Sequence, residues 1–441
     1  MTAAPLGWTG IARLGLVQAA IGAVVMLTTS LLNRVMVVEY ALPLALPAGL
    51  VAWHYAVQLS RPVWGHGSDK GGRRTPWIIG GMAVLVLGAM TAVGGLAIAK
   101  SIPVAAALVW ALAYSMIGAG VGACGTSLLA LLATAVAPAR RAAAASITWI
   151  MMVLGIVVTA GIASASIDPF SLGRLATVVG LIGLGALTLT TLAVWRIEPP
   201  APLAVVAPDD SMPAQGFGDA VREMLADPVA RRFTIFVFLS MLAYSMQDLI
   251  LEPFAGLMFR MTPGQSTGLS GVQHSGVLAG MILAGVAGSA FGGGKPHALR
   301  RWIFAGCIGS ALALAGLAVA ARIGIGWPLS ANVALLGFAN GIFAVSAIGT
   351  MMGLAGGDGP GREGVRMGVW GAAQAIAFGL GGLSGAVGVD VGRALMGGDN
   401  ARAFIMVFAL EAMLFLVAAA MALTIGPARS PRPATLKEAS I

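Results

Sequence analysis

The chain has 441 residues, of which 58% are hydrophobic and only 10% charged, with a mean hydropathy of +0.90. That composition cannot cover a water-facing surface, so a normal soluble domain is excluded and lipid is the main solvent. A net charge of +9 would suggest nucleic acid in a soluble protein, but here Lys and Arg cluster in short connections between apolar runs, where membrane topology accounts for them without nucleic acid.

Apolar runs of spanning length fall at residues 12–39, 44–64, 76–98, 103–135, 143–166 and 173–195, then at 232–258, 266–291, 299–320, 328–355, 364–389 and 401–425. The expectation is an all-α protein with twelve transmembrane helices. Loops on alternate sides differ in basic content. One set holds nineteen Lys and Arg residues and the other six, which places both termini in the cytoplasm, with no cleavable signal peptide ahead of the first span. Glycine, at 62 residues, suits helices that approach backbone to backbone in a bilayer. Cys124 and Cys307 lie far apart within apolar runs and suggest neither a disulfide nor a metal site.

The longest interruption, 196–230, begins Pro199-Pro200-Ala201-Pro202 and carries Asp209, Asp210 and Asp219 before a short amphipathic stretch, Phe217 to Ala226. It divides the chain into a six-helix half at 1–195 and a second at 231–425, followed by a tail at 426–441. A shift of 221 positions aligns Gly120 with Gly341, Ala123 with Ala344, Arg141 with Arg362 and Trp149 with Trp370, as an internal repeat would. Between the second and third spans lies Gly65-His66-Gly67-Ser68-Asp69-Lys70-Gly71-Gly72-Arg73-Arg74. Its glycines can close a tight turn and its cations hold that turn on the cytoplasmic side. The set Gly65, Asp69, Lys70, Gly72, Arg73 and Arg74 resembles the signature loop of the major facilitator superfamily, which implies two pseudo-two-fold six-helix halves. The counterpart in the second half, Gly292-Gly293-Gly294-Lys295, lacks the aspartate and, followed by Pro296, is no phosphate loop.

Charged residues inside spans are costly, about 2–3 kcal/mol each on insertion scales, unless paired or facing a cavity. The first span ends with Asn33, Arg34 and Glu39, and the seventh carries Gln247, Asp248 and Glu252. Asp248 and Glu252 are four apart on one helical face and need a cation; Arg34 on the symmetry-related first span is the expected partner, in a network that serves either as a structural lock or as a substrate or gating site. His54 in the second span and His274 in the eighth lie near the midplane, one position apart under the 221-residue shift. Each is either a locally bonded neutral histidine or a ligand. Glu411 sits in the middle of the last span, which lies on the outside of the facilitator fold. It needs a proton, a bond to a neighbouring helix, or cover from a ligand or partner.

Three segments narrow the resemblance: Leu32-Asn33-Arg34-Val35-Met36-x-Val38-Glu39, Gln247-Asp248-x-Ile250-Leu251-Glu252-Pro253-Phe254-x-Gly256, and Leu269-Ser270-Gly271-Val272-Gln273-His274-x-Gly276-Val277-Leu278. Together with Gly65-His66-x-Ser68-Asp69 and Arg73-Arg74-Thr75-Pro76 they resemble the PucC, or bacteriochlorophyll-delivery, family. The resemblance implies an assembly factor for light-harvesting antenna complexes in a bacterial inner (intracytoplasmic) membrane, with bacteriochlorophyll as cargo. Antenna apoproteins would be its partners, with pigment-synthesis or membrane-insertion proteins besides. A magnesium macrocycle needs a wide apolar slot and one axial donor, for which His54, His274 and Glu411 are the candidates. The alternative is a proton-coupled secondary transporter of a small solute, with Asp248 or Glu252 as the proton site. No nucleophile-base constellation or dinucleotide fingerprint appears, so an enzyme is not expected.

Overall fold

The computed structural model describes residues 6–61, 64, 73–137, 140–198, 222, 226–292, 296–355 and 363–424. Among the described residues there are twelve long helices and no strand: α1 (Trp8–Glu39), α2 (Ala45–Gln58), α3 (Thr75–Ile98), α4 (Pro103–Ala135), α5 (Arg141–Ile167), α6 (Leu172–Val194), α7 (Pro228–Phe259), α8 (Pro263–Gly292), α9 (Pro296–Ile323), α10 (Leu329–Ala355), α11 (Glu363–Leu395) and α12 (Asn400–Thr424). Eleven are long and apolar enough to cross a membrane. The exception, α2, has 14 regular residues because the chain tightens after it, with Leu59 and Ser60 bonding back three residues to Ala56 and Val57. Most of the short amphipathic stretch expected at Phe217 to Ala226 lies outside the described residues.

Helix starts follow elementary rules. Proline occupies the first turn of α3, α4 and α7, where its missing N–H costs nothing. Ser171 and Asp227 cap α6 and α7 by accepting from the Arg174 and Val229 amides at 3.1 and 3.0 Å. The strongest cap is tertiary. Glu198, just beyond α6, accepts from the Arg74 and Thr75 amides, both at 2.8 Å, and from the Thr75 hydroxyl at 2.6 Å, so a buried carboxylate closes the start of α3. Arg13 of α1 in turn donates to the last carbonyls of α6, Ala193 at 2.8 Å among them, and to that of Trp195. One connection beyond α6 thereby ties α1, α3 and α6 at the end of the bundle that carries the N-terminus.

The two halves repeat each other's packing. Helix α1 lies on α5 as α7 lies on α11, α3 on α4 as α9 on α10, and α3 on α6 as α9 on α12, while α2–α11 and α5–α8 are the symmetry-related contacts between halves. Within each half backbones touch. A side chain at Gly81 would run into the Cys124 amide of α4, and one at Gly341 into the Val277 carbonyl of α8. Large apolar side chains such as Leu108, Leu181, Leu312 and Met413 stay exposed on the outer faces, as a lipid solvent requires.

In α1 the regular ladder widens twice, into π-helical turns at Leu27–Leu31 and Val35–Glu39 that flank the three residues Leu32–Arg34. Helix α7 contains Pro253, which cannot donate to the carbonyl of Leu249 four residues earlier.

Removing the tertiary cap tests this packing. Glu198→Ala should lower the unfolding free energy of the detergent-solubilised protein by about 1–2 kcal/mol, seen as a lower thermal midpoint, with Glu198→Gln intermediate.

Candidate functional site

The carbonyl that Pro253 frees is met from the other half. Asn33 Nδ2 of α1 donates to Leu249 O at 2.6 Å, both groups being buried. One residue on, Arg34 is 2% exposed. Its Nη1 pairs with Glu39 and its Nη2 donates to the Met261 carbonyl, just beyond α7, at 2.7 Å. Glu252 is buried beside this guanidinium, facing Ser30 of α1 and Thr267 and Ser270 of α8, yet neither of its oxygens closes a hydrogen bond among the described residues. Further bonds between halves lie at the same end. Asp168, after α5, accepts from the Thr262 hydroxyl and from the Gly264 amide at 3.2 Å, Ser164 donates to Gly264 O at 2.7 Å, and Asp390 of α11 accepts from the Ala45 amide at 2.7 Å.

The expected joint network of Arg34 with Asp248 and Glu252 is not what forms. Glu252 lies beside the Arg34 guanidinium, whereas Asp248, one turn earlier on the same face, has other neighbours. Asp248 is half-buried and lies near Tyr55 of α2, Tyr244 of α7 and Glu411 of α12. The Tyr55 ring stacks on Phe378 of α11 with centroids 6.2 Å apart, and Tyr244 meets the same Phe378 edge-on at 5.9 Å. Three aromatic rings from α2, α7 and α11 thus meet where the halves join. Gln247 is fully buried, and its amide oxygen and nitrogen have no partner among the described residues.

Glu411 does not face lipid. It is 0% exposed, whereas Leu410 and Met413 beside it are 45% and 56% exposed, so the outer helix turns its apolar face out and its acid in, toward Asp248. Neither Glu411 oxygen has a hydrogen-bond partner among the described residues, so the bond to a neighbouring helix weighed from sequence is not made.

The histidines differ. His54 is 1% exposed, with Nδ1 on the Val51 carbonyl at 2.8 Å and Nε2 on Gln58 Nε2 at 2.9 Å, while Gln58 Oε1 accepts from Arg61. The chain Arg61 to Gln58 to His54 to Val51 has one consistent direction of donation and leaves the imidazole neutral, with both nitrogens in use. His274 is half-buried. Its Nδ1 is held by Ser270 O at 2.9 Å, and it follows Thr267 and Ser270 on the α8 face turned to α1 and α7. Of the signature loop, Gly65, Asp69, Lys70 and Gly72 lie outside the described residues; Arg73 is exposed, and the Arg74 amide belongs to the Glu198 cap. No group of three metal-holding side chains gathers among the described residues.

Two six-helix halves related by a pseudo-two-fold, joined by α2–α11 and α5–α8 around a polar seam, define a polytopic protein of the major facilitator fold. A bacterial homologue of the human lysosomal transporter Spinster, solved in an inward-facing and unoccupied conformation, superposes with a TM-score of 0.68 over 94% of this chain and 96% of that one, at 14% identity. Sequence gives the family. The model of the family described as PUCC protein matches residues 31–429, and the chain belongs to that family. It is 53% identical to the bacteriochlorophyll synthase 44.5 kDa chain of Rhodobacter capsulatus, over 96% of this chain and 97% of that one, and 29% identical to Protein PucC of the same species, over 93% and 90%.

Tyr55, Tyr244, Phe378, Asp168 and Asp390 were not marked by sequence reasoning. The Leu249 carbonyl could have been, since a proline inside a membrane helix points to the carbonyl four residues before it. A double-mutant cycle checks that bond. Asn33→Leu should cost about 1–3 kcal/mol of unfolding free energy, and markedly less in a Pro253→Ala background, where the restored amide can satisfy Leu249 O.

Proposed function

We propose that this protein is an assembly factor for light-harvesting antenna complexes, which binds bacteriochlorophyll inside the membrane and hands it to antenna apoproteins. One relative's name supports the pigment: it is called a bacteriochlorophyll synthase chain. In this reading the protein is a carrier that works beside pigment-synthesis or membrane-insertion proteins and is not itself the catalyst. It resides in a bacterial inner (intracytoplasmic) membrane with both termini in the cytoplasm, as the nineteen-to-six distribution of basic residues supports.

The observation that carries a pigment site is the arrangement at His274. With Nδ1–H committed to Ser270 O, the imidazole is held as the tautomer whose Nε2 keeps its lone pair, and it stands on the helix face that looks toward the seam. That is what an axial donor to the magnesium of a macrocycle requires. The rings of Tyr55, Tyr244 and Phe378 in the same seam offer flat apolar surface. His54, with both nitrogens bonded, and Glu411, enclosed by protein, are poorer donors in this conformation. The buried, unpartnered Glu252 and Glu411 favour a second reading, a proton-coupled secondary transporter of a small solute.

An absorption spectrum of the gently purified protein separates the two. The expected result is stoichiometric bacteriochlorophyll that falls several-fold in His274→Ala and is unchanged in Glu411→Gln. A colourless protein that drives proton-dependent uptake into vesicles would replace the carrier reading with the transporter.

A further inference from the structure

Away from the seam, α2, α3 and α4 leave a groove of about 300 Å³ near the end of the bundle that carries the signature loop, lined by Trp64, Pro76, Trp77, Gly80, Ala119 and Ala123 among others. The Trp64 and Trp77 rings stand 6.3 Å apart at 57°, and Trp64 Nε1 donates to Ser60 Oγ at 2.9 Å, which fixes that ring. Gly80 is exposed and a side chain there would meet nothing within 4 Å, whereas one at Gly81 would strike the backbone of Cys124. The floor of the groove is therefore helix backbone, and Pro76 and Gly80 leave its open side exposed. Its volume is at the low end for small-molecule sites, about 300–1,000 Å³, suited to a single flexible chain rather than a macrocycle.

The mouth is positively charged. Arg61 is exposed; one of its guanidinium nitrogens donates to Gln58 Oε1, and its Cγ, like the Trp64 ring, lies close to where a side chain on Gly122 would begin, at 3.8 Å; Arg73, also exposed, precedes α3 by two residues. Residues 61–75 hold four Lys and Arg against one acid, Asp69. Glu198, the acid that reaches this region from α6, is occupied by the Arg74 and Thr75 amides. Tryptophans at headgroup depth beside cations are the chemistry that holds a lipid with a negative headgroup.

We propose that this groove binds one anionic phospholipid, with an acyl chain between Trp64 and Trp77 and the phosphate at Arg61 and Arg73. The site is separate from the seam and does not depend on the cargo assigned above. The test is native mass spectrometry of the full chain, delipidated in mild detergent and titrated with phosphatidylglycerol or phosphatidylcholine. Phosphatidylglycerol should bind in preference. Arg61→Gln and Arg73→Gln should each weaken it about fivefold, and Gly80→Leu should abolish binding of both lipids with the lipid-free melting temperature unchanged. Trp77→Ala, expected to weaken both lipids, reads the same contact should Gly80→Leu fail to fold. Equal binding of the two lipids, undiminished binding in both groove variants, or an isoprenoid lipid co-purifying in place of the phospholipid would overturn the proposal.

Discussion

The carbonyl of Leu249 has no donor in its own helix, because Pro253 stands where an amide is needed. In water the loss would be small. Inside a bilayer no solvent replaces the amide, and a bare carbonyl costs several kcal/mol, so the donor must come from protein. Asn33 supplies it across the join between halves, and that bond sets the register of α1 against α7. With the register set, Arg34 reaches Met261 O, Glu252 comes to lie beside the guanidinium, and α8 presents Thr267 and Ser270 to the same acid.

Glycines bring helices close within each half and also between halves, where Gly264 and Gly268 of α8 lie against Ser164 of α5. Inside each half, glycines let backbones meet without intervening side chains: a side chain at Gly337 of α10 would strike the Gln273 carbonyl, and one at Gly381 of α11 the Leu242 carbonyl of α7. Such contacts have few alternative geometries, and each half behaves as a block. Between halves the described contacts include single hydrogen bonds from loops and helix ends, such as those on Asp168 and Asp390, and an aromatic group whose rings can slide.

Much of this could be read from the sequence, for reasons that vary by residue. Span positions followed from apolar length, and the two-fold from the linker that splits six runs from six. Asn33, Arg34, Gln247 and Glu252 stood out because buried polar groups in lipid are rare, and all four are buried in or beside the seam. What failed was direction. Asp248 was paired with Glu252 by spacing alone, yet the two acids meet different helices. Glu411 was expected to need a proton, a bond to a neighbouring helix or cover; it is enclosed by protein, opposite the exposed Leu410 and Met413, with neither oxygen bonded among the described residues. His54 and His274, one position apart under the repeat, differ in their bonding, because Gln58 one turn away engages the second nitrogen of His54. Tyr55 and Phe378 carry no sequence mark, since aromatic residues are ordinary in membrane helices and only the fold brings them together.

The two wide turns of α1 explain part of that limit. A π-helical turn accommodates one residue beyond the α-helical count, and each extra residue rotates the remainder of the helix by about 100°. With one such turn before Leu32 and one after Arg34, helical counting from Trp8 is offset once at Arg34 and twice at Tyr40. The aim of Arg34 is therefore a matter of indexing: deletion of a single residue between Leu27 and Leu31 would restore regular α-helix from Trp8 to Arg34 and swing Arg34 about a quarter-turn away from the opposite half.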